Sequence, residues 1–176
     1  MSLFKDIVKL WNSDDLLSQA WSESYEMMLL SNEVFTQAIK YLREGENIKT
    51  IKALKKRDSE INRFQKNVRR KVVTHYAITQ NTEDLPNGLV LLNMVVDIER
   101  VGDYTKNILD LALNYPDTIR AEDFSDDLAA IEQEVILRFN KTIKAINAQD
   151  EAIAKSLMAS YKKTVIRLSD QIVNGC

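Results

Sequence analysis

LVLLNMVVDIERVGDYTKNILDLAL, residues 89–113, carries apolar side chains at Leu91, Val95, Ile98, Val101, Ile108 and Ala112. Their recurrence at intervals near three and four residues predicts an amphipathic helix over about Leu89 to Leu113. Outward from this stretch the same period recurs. Upstream, Ile51, Leu54, Ile61, Phe64, Val68 and Val72 predict a helix from a cap at Asn47 to about Ile78. Before it, Leu17, Ala20, Trp21, Met27, Met28, Val34, Phe35, Ala38, Tyr41 and Leu42 mark a long helix to about Arg43. Ser13, Asp14 and Asp15 supply its N-cap chemistry, and Gly45 ends it. Ser24 and Ser31 fall on the same stripe and are small enough to admit a neighbouring helix. Downstream, two more helices are predicted, Asp126 to Asn147 and Glu151 to Asn174.

The loops follow from composition. Gln80 to Gly88, with Asn81, Asp84, Pro86 and Asn87, is expected as a connection. So is the stretch holding Asn114, Pro116, Asp117 and Asp123, and so is the turn at Asn147, Gln149 and Asp150. Only 4 glycines and 2 prolines occur in 176 residues. So few turn formers favour long helices and few loops over a β-rich fold. The fold class is therefore all-α, an antiparallel helical bundle.

Charge and cysteine usage narrow the function classes. The 24 basic and 26 acidic residues leave a net charge of −2, without the basic excess that nucleic-acid binding draws on. The single cysteine, Cys176, excludes an internal disulfide and fits a reducing compartment. Met1 to Trp11 is too short and too charged for a signal peptide, and no apolar run approaches the ~20 residues of a membrane span. These features predict a soluble, cytoplasmic chain. Phe4, Ile7, Val8 and Trp11 give residues 1–12 the pattern of a short amphipathic segment that closes one end of the bundle.

A shift of about a hundred residues aligns the two halves. It pairs Phe35 with Phe139, Ile39 with Ile143 and Leu42 with Ile146. It then pairs Leu54 with Met158, Ile61 with Val165, Phe64 with Leu168 and Val68 with Ile172. The expected organisation is a three-helix unit over 13–114 and a partial second unit of two helices over 122–176. A counterpart of the third helix is missing.

The chemistry concentrates on two helices. Glu99 and Asp103, four apart, project from one helical face. Like charges at that spacing repel, and a hard cation reverses the penalty. Gly102 between them costs about 1 kcal/mol relative to alanine inside a helix. Close packing or room for an ion explains such a residue. Arg100 is expected to reach a carboxylate on a neighbouring helix. On the second helix, Asp58 interrupts the apolar stripe, and Asn62 offers a neutral oxygen on the same face. Lys55, Lys56 and Arg57 are alternative ion-pair partners for Asp58. The acidic pairs Glu122–Asp126 and Asp123–Asp127 have the same spacing but suit a helix N-terminus.

Asp58-Ser-Glu-Ile-Asn62, followed by Asp97-Ile-Glu-Arg-Val-Gly-Asp103, resembles the PhoU family. The resemblance implies three-helix repeats, usually two per chain, with an acidic pair on the second helix and a Glu-Arg-Ile-Gly-Asp-like segment on the third. It implies a regulator of phosphate uptake, not an enzyme, that acts with a phosphate transporter or sensor kinase at the inner membrane face, and a homodimer partner is expected to cover the surface that the incomplete second repeat leaves open. It also implies a metal ion (iron, zinc or another divalent cation) at Asp58, Asn62, Glu99 and Asp103, supported by Asp97, Arg100 and Gly102. Asn62 departs from the second acid of the pair, and Val101 replaces the usual isoleucine. In the second half, Lys162 and Ile166 stand where an acidic pair would be, so no second metal cluster is expected there. The alternative is a structural or regulatory dimerisation module for another ion or solute transporter, without metal.

Enzymatic rivals lack their residues. A di-iron carboxylate bundle needs Glu-x-x-His pairs. The one histidine, His75, is preceded three residues earlier by Val72. No Gly-x-x-x-x-Gly-Lys phosphate loop occurs. The basic run Lys66, Arg69, Arg70 and Lys71 is expected as a solvated helix face.

Overall fold

The computed structural model describes residues 15–80, 83–115, 125–161, 165–167, 169–170 and 173. Six helices have described bounds, and residues 165–167, 169–170 and 173 are helical as well. The six are α1 (Leu16–Glu44), α2 (Ile48–Lys56), α3 (Asp58–Thr79), α4 (Leu85–Asn114), α5 (Ser125–Ala148) and α6 (Glu151–Tyr161). No strand occurs among the described residues, so the all-α class holds. The amphipathic segment expected over 1–12 lies outside the described residues, as do Ser13, Asp14, Asn81, Pro116, Asp117, Glu122, Asp123, Lys162 and Cys176.

The chain divides into two compact units, Met1–Pro116 and Asp117–Cys176. In the first, α1, α3 and α4 pack against one another as a three-helix bundle, and α2 extends the α3 end of it. The side-chain contacts fix the directions. Glu33 and Glu23 of α1 meet Arg57 and Lys71 respectively, so α1 runs antiparallel to the α2–α3 segment. Asp110 and Asp84, at opposite ends of α4, meet Lys55 and His75, so α4 runs antiparallel again.

Local signals begin and end these helices. Asp15 Oδ1 accepts the Ser18 amide hydrogen at 2.8 Å and caps α1. Gly45 follows α1 with φ of +79°, and its N–H returns to the Tyr41 carbonyl. Asn47 Oδ1 accepts from the Thr50 amide at 2.9 Å and caps α2. The expected helix from Asn47 to Ile78 is instead two helices that meet at Arg57. There the Arg57 N–H bonds to the Leu54 carbonyl at 3.0 Å, and the Glu60 N–H to the Arg57 carbonyl at 2.9 Å. These i→i+3 bonds tighten one turn while Arg57 keeps helical φ and ψ.

The third long helix also starts earlier than its composition indicated. Pro86, Asn87 and Gly88 belong to the first turn of α4. Proline needs no N–H partner there, and its fixed φ suits the first turn. The helix before α4 ends at Thr79, with Gln80 in the left-handed region at φ of 50°, and α4 begins at Leu85.

Buried residues of α1 are Leu17, Ala20, Trp21, Met27, Met28, Leu30, Val34, Phe35 and Ala38. Ser24 and Ser31 are wholly buried among them. The Ser24 hydroxyl donates to the Ala20 carbonyl at 2.7 Å, which satisfies the group inside the core. Ile61, Val68 and Val72 of α3 face Leu91, Val95, Ile98, Leu109 and Ala112 of α4 across the same core. Val101 and Ile108, expected on the α4 stripe, are only half-buried. Gly102, Thr105 and Leu109 take the buried positions instead. The buried seam Leu91, Val95, Ile98, Gly102, Thr105, Leu109 and Ala112 recurs at alternating steps of four and three, and Val101 and Ile108 each fall one position before it, on its flank.

The second unit is a hairpin of α5 and α6. Gln149 turns the chain at φ of 54°, and Asp150 Oδ1 accepts from the amides of Ala152 and Ile153 at 2.9 and 3.0 Å. Asn147, expected in that turn, lies within α5. Arg138 ties the helices together by donating to the Leu157 carbonyl and to the Ser160 hydroxyl. Ala145 is the one fully buried side chain among the described residues of this unit.

Gly88 offers a test of the first unit's packing. A Cβ there would stand 2.5 Å from Cε2 and Oη of Tyr76. The Tyr76 hydroxyl is held by donation to the Asp84 carbonyl at 2.7 Å. Gly88→Ala is expected to lower stability by about 1–3 kcal/mol through overpacking, read as a lower urea midpoint at unchanged slope. Tyr76→Ala should remove most of that penalty in a double-mutant cycle.

Candidate functional site

The side chain of Asp58, at the start of α3, lies beside the middle of α4. Gly102 permits the approach. A Cβ at that position would lie 3.2 Å from Ile61 Cδ1, 3.5 Å from Ile61 Cγ2 and 3.6 Å from Asp58 Oδ1. Of the two explanations for a mid-helix glycine, close packing is the one observed. It brings the Asp58 carboxylate next to the carboxylates that flank Gly102 in sequence.

Glu99, Asp103 and Asp58 thus share one patch. Burial pushes the Glu99 carboxyl above its ordinary range, and the negative charges of Asp103 and Asp58 push it further. Asp58 Oδ2 accepts from Asn62 Nδ2 at 2.9 Å and from Lys106 Nζ at 3.1 Å. Lys106 Nζ also lies 2.7 Å from Asp103 Oδ1. The hydrogen bond to Asp103, joined by one to Asp58, raises the Lys106 pKa and holds it charged. Asp58 Oδ1 is buried and has no hydrogen-bond partner.

Two of the supporting residues lie elsewhere. Arg100 bonds Asp97 on its own helix at 3.2 Å, with the two side chains 65% and 72% exposed. It therefore does not reach a carboxylate on a neighbouring helix, because it points from the outer face of α4 into water. Two of the basic neighbours of Asp58 are engaged away from it. Lys55 pairs with Asp110, and Arg57 pairs with Glu33 at 2.6 Å and with Glu60 at 3.7 Å. Lys106 is the partner that sequence inspection missed. Its signal was present, because it follows Asp103 by three residues and Glu99 by seven, which keeps it on their face.

These groups do not fit a metal ion as they stand. Among the described residues, no three acidic, histidine or cysteine side chains are gathered in a way that could hold one. Asn62 turns its amide hydrogens, not its oxygen, toward Asp58. The Lys106 ammonium already lies between Asp58 and Asp103. What the patch does chemically is hold fixed negative charge around one bound cationic side chain, on a surface shared by two helices.

The family model described as PhoU domain matches residues 25–112, half of the chain. The chain belongs to the PhoU family. That places it in a family of phosphate-transport regulators, and the match takes in α2 and α3 together with most of α1 and α4. No curated protein and no solved structure adds a further match. Within this PhoU domain, His75 is buried at the far end of α3. Its Nε2 lies 3.1 Å from Asp84 Oδ2, which gives the buried ring a hydrogen-bond partner. Lys71 of the basic run turns to Gln19 and Glu23, each at 3.0 Å. Lys66, Arg69 and Arg70 remain on the exposed face. Among the described residues, no helix of this PhoU-family chain is long and apolar enough to cross a membrane.

The raised pKa of Glu99 fixes a pH dependence. A carboxyl that is harder to ionise when folded weakens the folded state as pH rises from the unfolded pKa through the folded one. Glu99→Gln removes that cost and preserves a donor toward Asp103. The variant should match wild type below about pH 4 and be the more stable protein at neutral pH. Urea midpoints of both proteins across this range measure the difference. A gap that does not widen upward contradicts the electrostatic account.

Proposed function

We propose that this chain is a non-catalytic regulator of phosphate uptake that docks on a phosphate transporter or its sensor kinase at the inner face of the membrane. The observation that carries the proposal is the coincidence of the PhoU match with the α1–α4 unit. The regulation is steric and electrostatic. A rigid helical unit presents a charged face, and binding to one state of a transporter or kinase shifts that partner's equilibrium. The Asp58, Glu99 and Asp103 carboxylates form one part of that face. The exposed side of α3 forms another, where Arg63, Lys66 and Arg70 line a shallow groove with Ser59, Asn62 and Asn67. Exposed charges on such a face contribute little to stability and more to the choice and rate of association. A second copy of the chain is also part of the proposal. The α5–α6 hairpin buries one side chain fully among its described residues, and a dimer would cover more.

Cells lacking the chain should keep importing labelled phosphate when phosphate is plentiful, and re-expression should restore shut-off. Normal phosphate control combined with altered transport of another solute would overturn the proposal in favour of a module for a different transporter. Sedimentation equilibrium of the purified chain should give a dimer mass, and a monomer at micromolar concentration would remove the second copy from the scheme.

A further inference from the structure

We propose that Lys106 is the resident cation of the Asp58–Glu99–Asp103 patch, occupying the position of a divalent metal and making the patch metal-independent. The proposal concerns the residues of α3 and α4 alone and stands apart from the choice of transporter or kinase.

Position is the first argument. The ammonium bridges two helices, 3.1 Å from Asp58 Oδ2 and 2.7 Å from Asp103 Oδ1. A hard cation on those oxygens would sit at about 2.0–2.6 Å from each, which is the space the ammonium fills. The second argument is donor count. Both groups bonded to Asp58 Oδ2, Asn62 Nδ2 and Lys106 Nζ, are donors. A metal on Oδ2 would have to displace both donors, and Oδ1, which accepts no hydrogen bond, is the oxygen left open. The third is the engagement of Lys55, Arg57 and Arg100 elsewhere. Lys55 bonds Asp110, Arg57 bonds Glu33 and Glu60, and Arg100 bonds Asp97. The fourth is competition. A divalent ion entering beside a retained ammonium faces like-charge repulsion, and one that expels it must first break two charge-assisted bonds. With the Lys106 side chain 31% exposed, its stem has a path to solvent. Removing the positive charge is therefore the change that would open the carboxylates to metal.

Titration of the full chain with Mn²⁺ alone, followed by the loss of the free-ion electron paramagnetic resonance signal, tests this. Wild type is expected to show no saturable site that depends on Asp58, and its melting temperature should not move with EDTA. Lys106→Met is expected to gain one Mn²⁺ site at least about tenfold tighter than any wild-type binding, equivalent to about 1.4 kcal/mol. Adding Asp58→Asn should abolish the gained site, and Lys106→Arg, which retains the charge, should not create it. Lys106→Gln serves if the methionine variant does not fold, with circular dichroism as the check. A wild-type Mn²⁺ site lost in Asp58→Asn overturns the proposal. So does a folded, charge-removed variant that binds no Mn²⁺, because the carboxylates would then not form a cation position at all.

Discussion

The close approach of α3 to α4 at Gly102 is the constraint on which the first unit's chemistry depends. With no side chain at that position, Ile61 and Asp58 come up against the α4 backbone. The apolar half of the contact extends the core. The polar half places a carboxylate from α3 among the carboxylates of α4 without a loop in between. Groups held this way, on helix interiors, have their geometry set by packing and not by flexible connections. The burden is three acids in one partly desolvated patch. Lys106, from the same face of α4, offsets it in part, and the raised pKa of Glu99 marks the remainder.

This arrangement separates two properties that a family resemblance joins. The PhoU match covers the three-helix frame and carries the fold with it. The ligand set does not follow automatically, because it depends on a few side chains per patch. Asn62 and Lys106 both put hydrogens toward Asp58. Two residues are enough to set donors against Asp58 Oδ2, where a metal-binding surface would present acceptors. A shared frame can thus carry different electrostatics in different chains.

Much of the fold was legible because helices advertise themselves locally. Caps at Asp15 and Asn47, the glycine after α1 and the apolar stripe of α1 all depend on residues close in sequence. The misplaced features depend on something else. Pro86 has loop composition yet stands in the first turn of α4, where proline is tolerated. The tightened turn at Arg57 has no glycine or proline to announce it. Thr105 and Gly102 hold core positions of the α4 seam although neither is a large apolar residue, so the apolar pattern alone passed to their neighbours Val101 and Ile108. In the site, same-helix spacing correctly grouped Glu99 with Asp103, and the break in the α3 stripe pointed to Asp58. Which base would neutralise Asp58 was not legible from neighbours in sequence. That partner comes from a different helix, and the nearer candidates are drawn off by Glu33 and Asp110.

The clasp at the other end of the α3–α4 hairpin bears on all of this from a distance. His75 and Tyr76 both hold Asp84, one through the carboxylate and one through the main-chain carbonyl. From that anchor, about 25 Å of helix runs down α3 to Asp58 and a nearly equal length runs up α4 to Gly102. The hairpin behaves as a ruler with its zero at Asp84. One residue inserted anywhere along either arm would swing everything beyond it by about 100°, turning the carboxylates away from one another while leaving both helices intact.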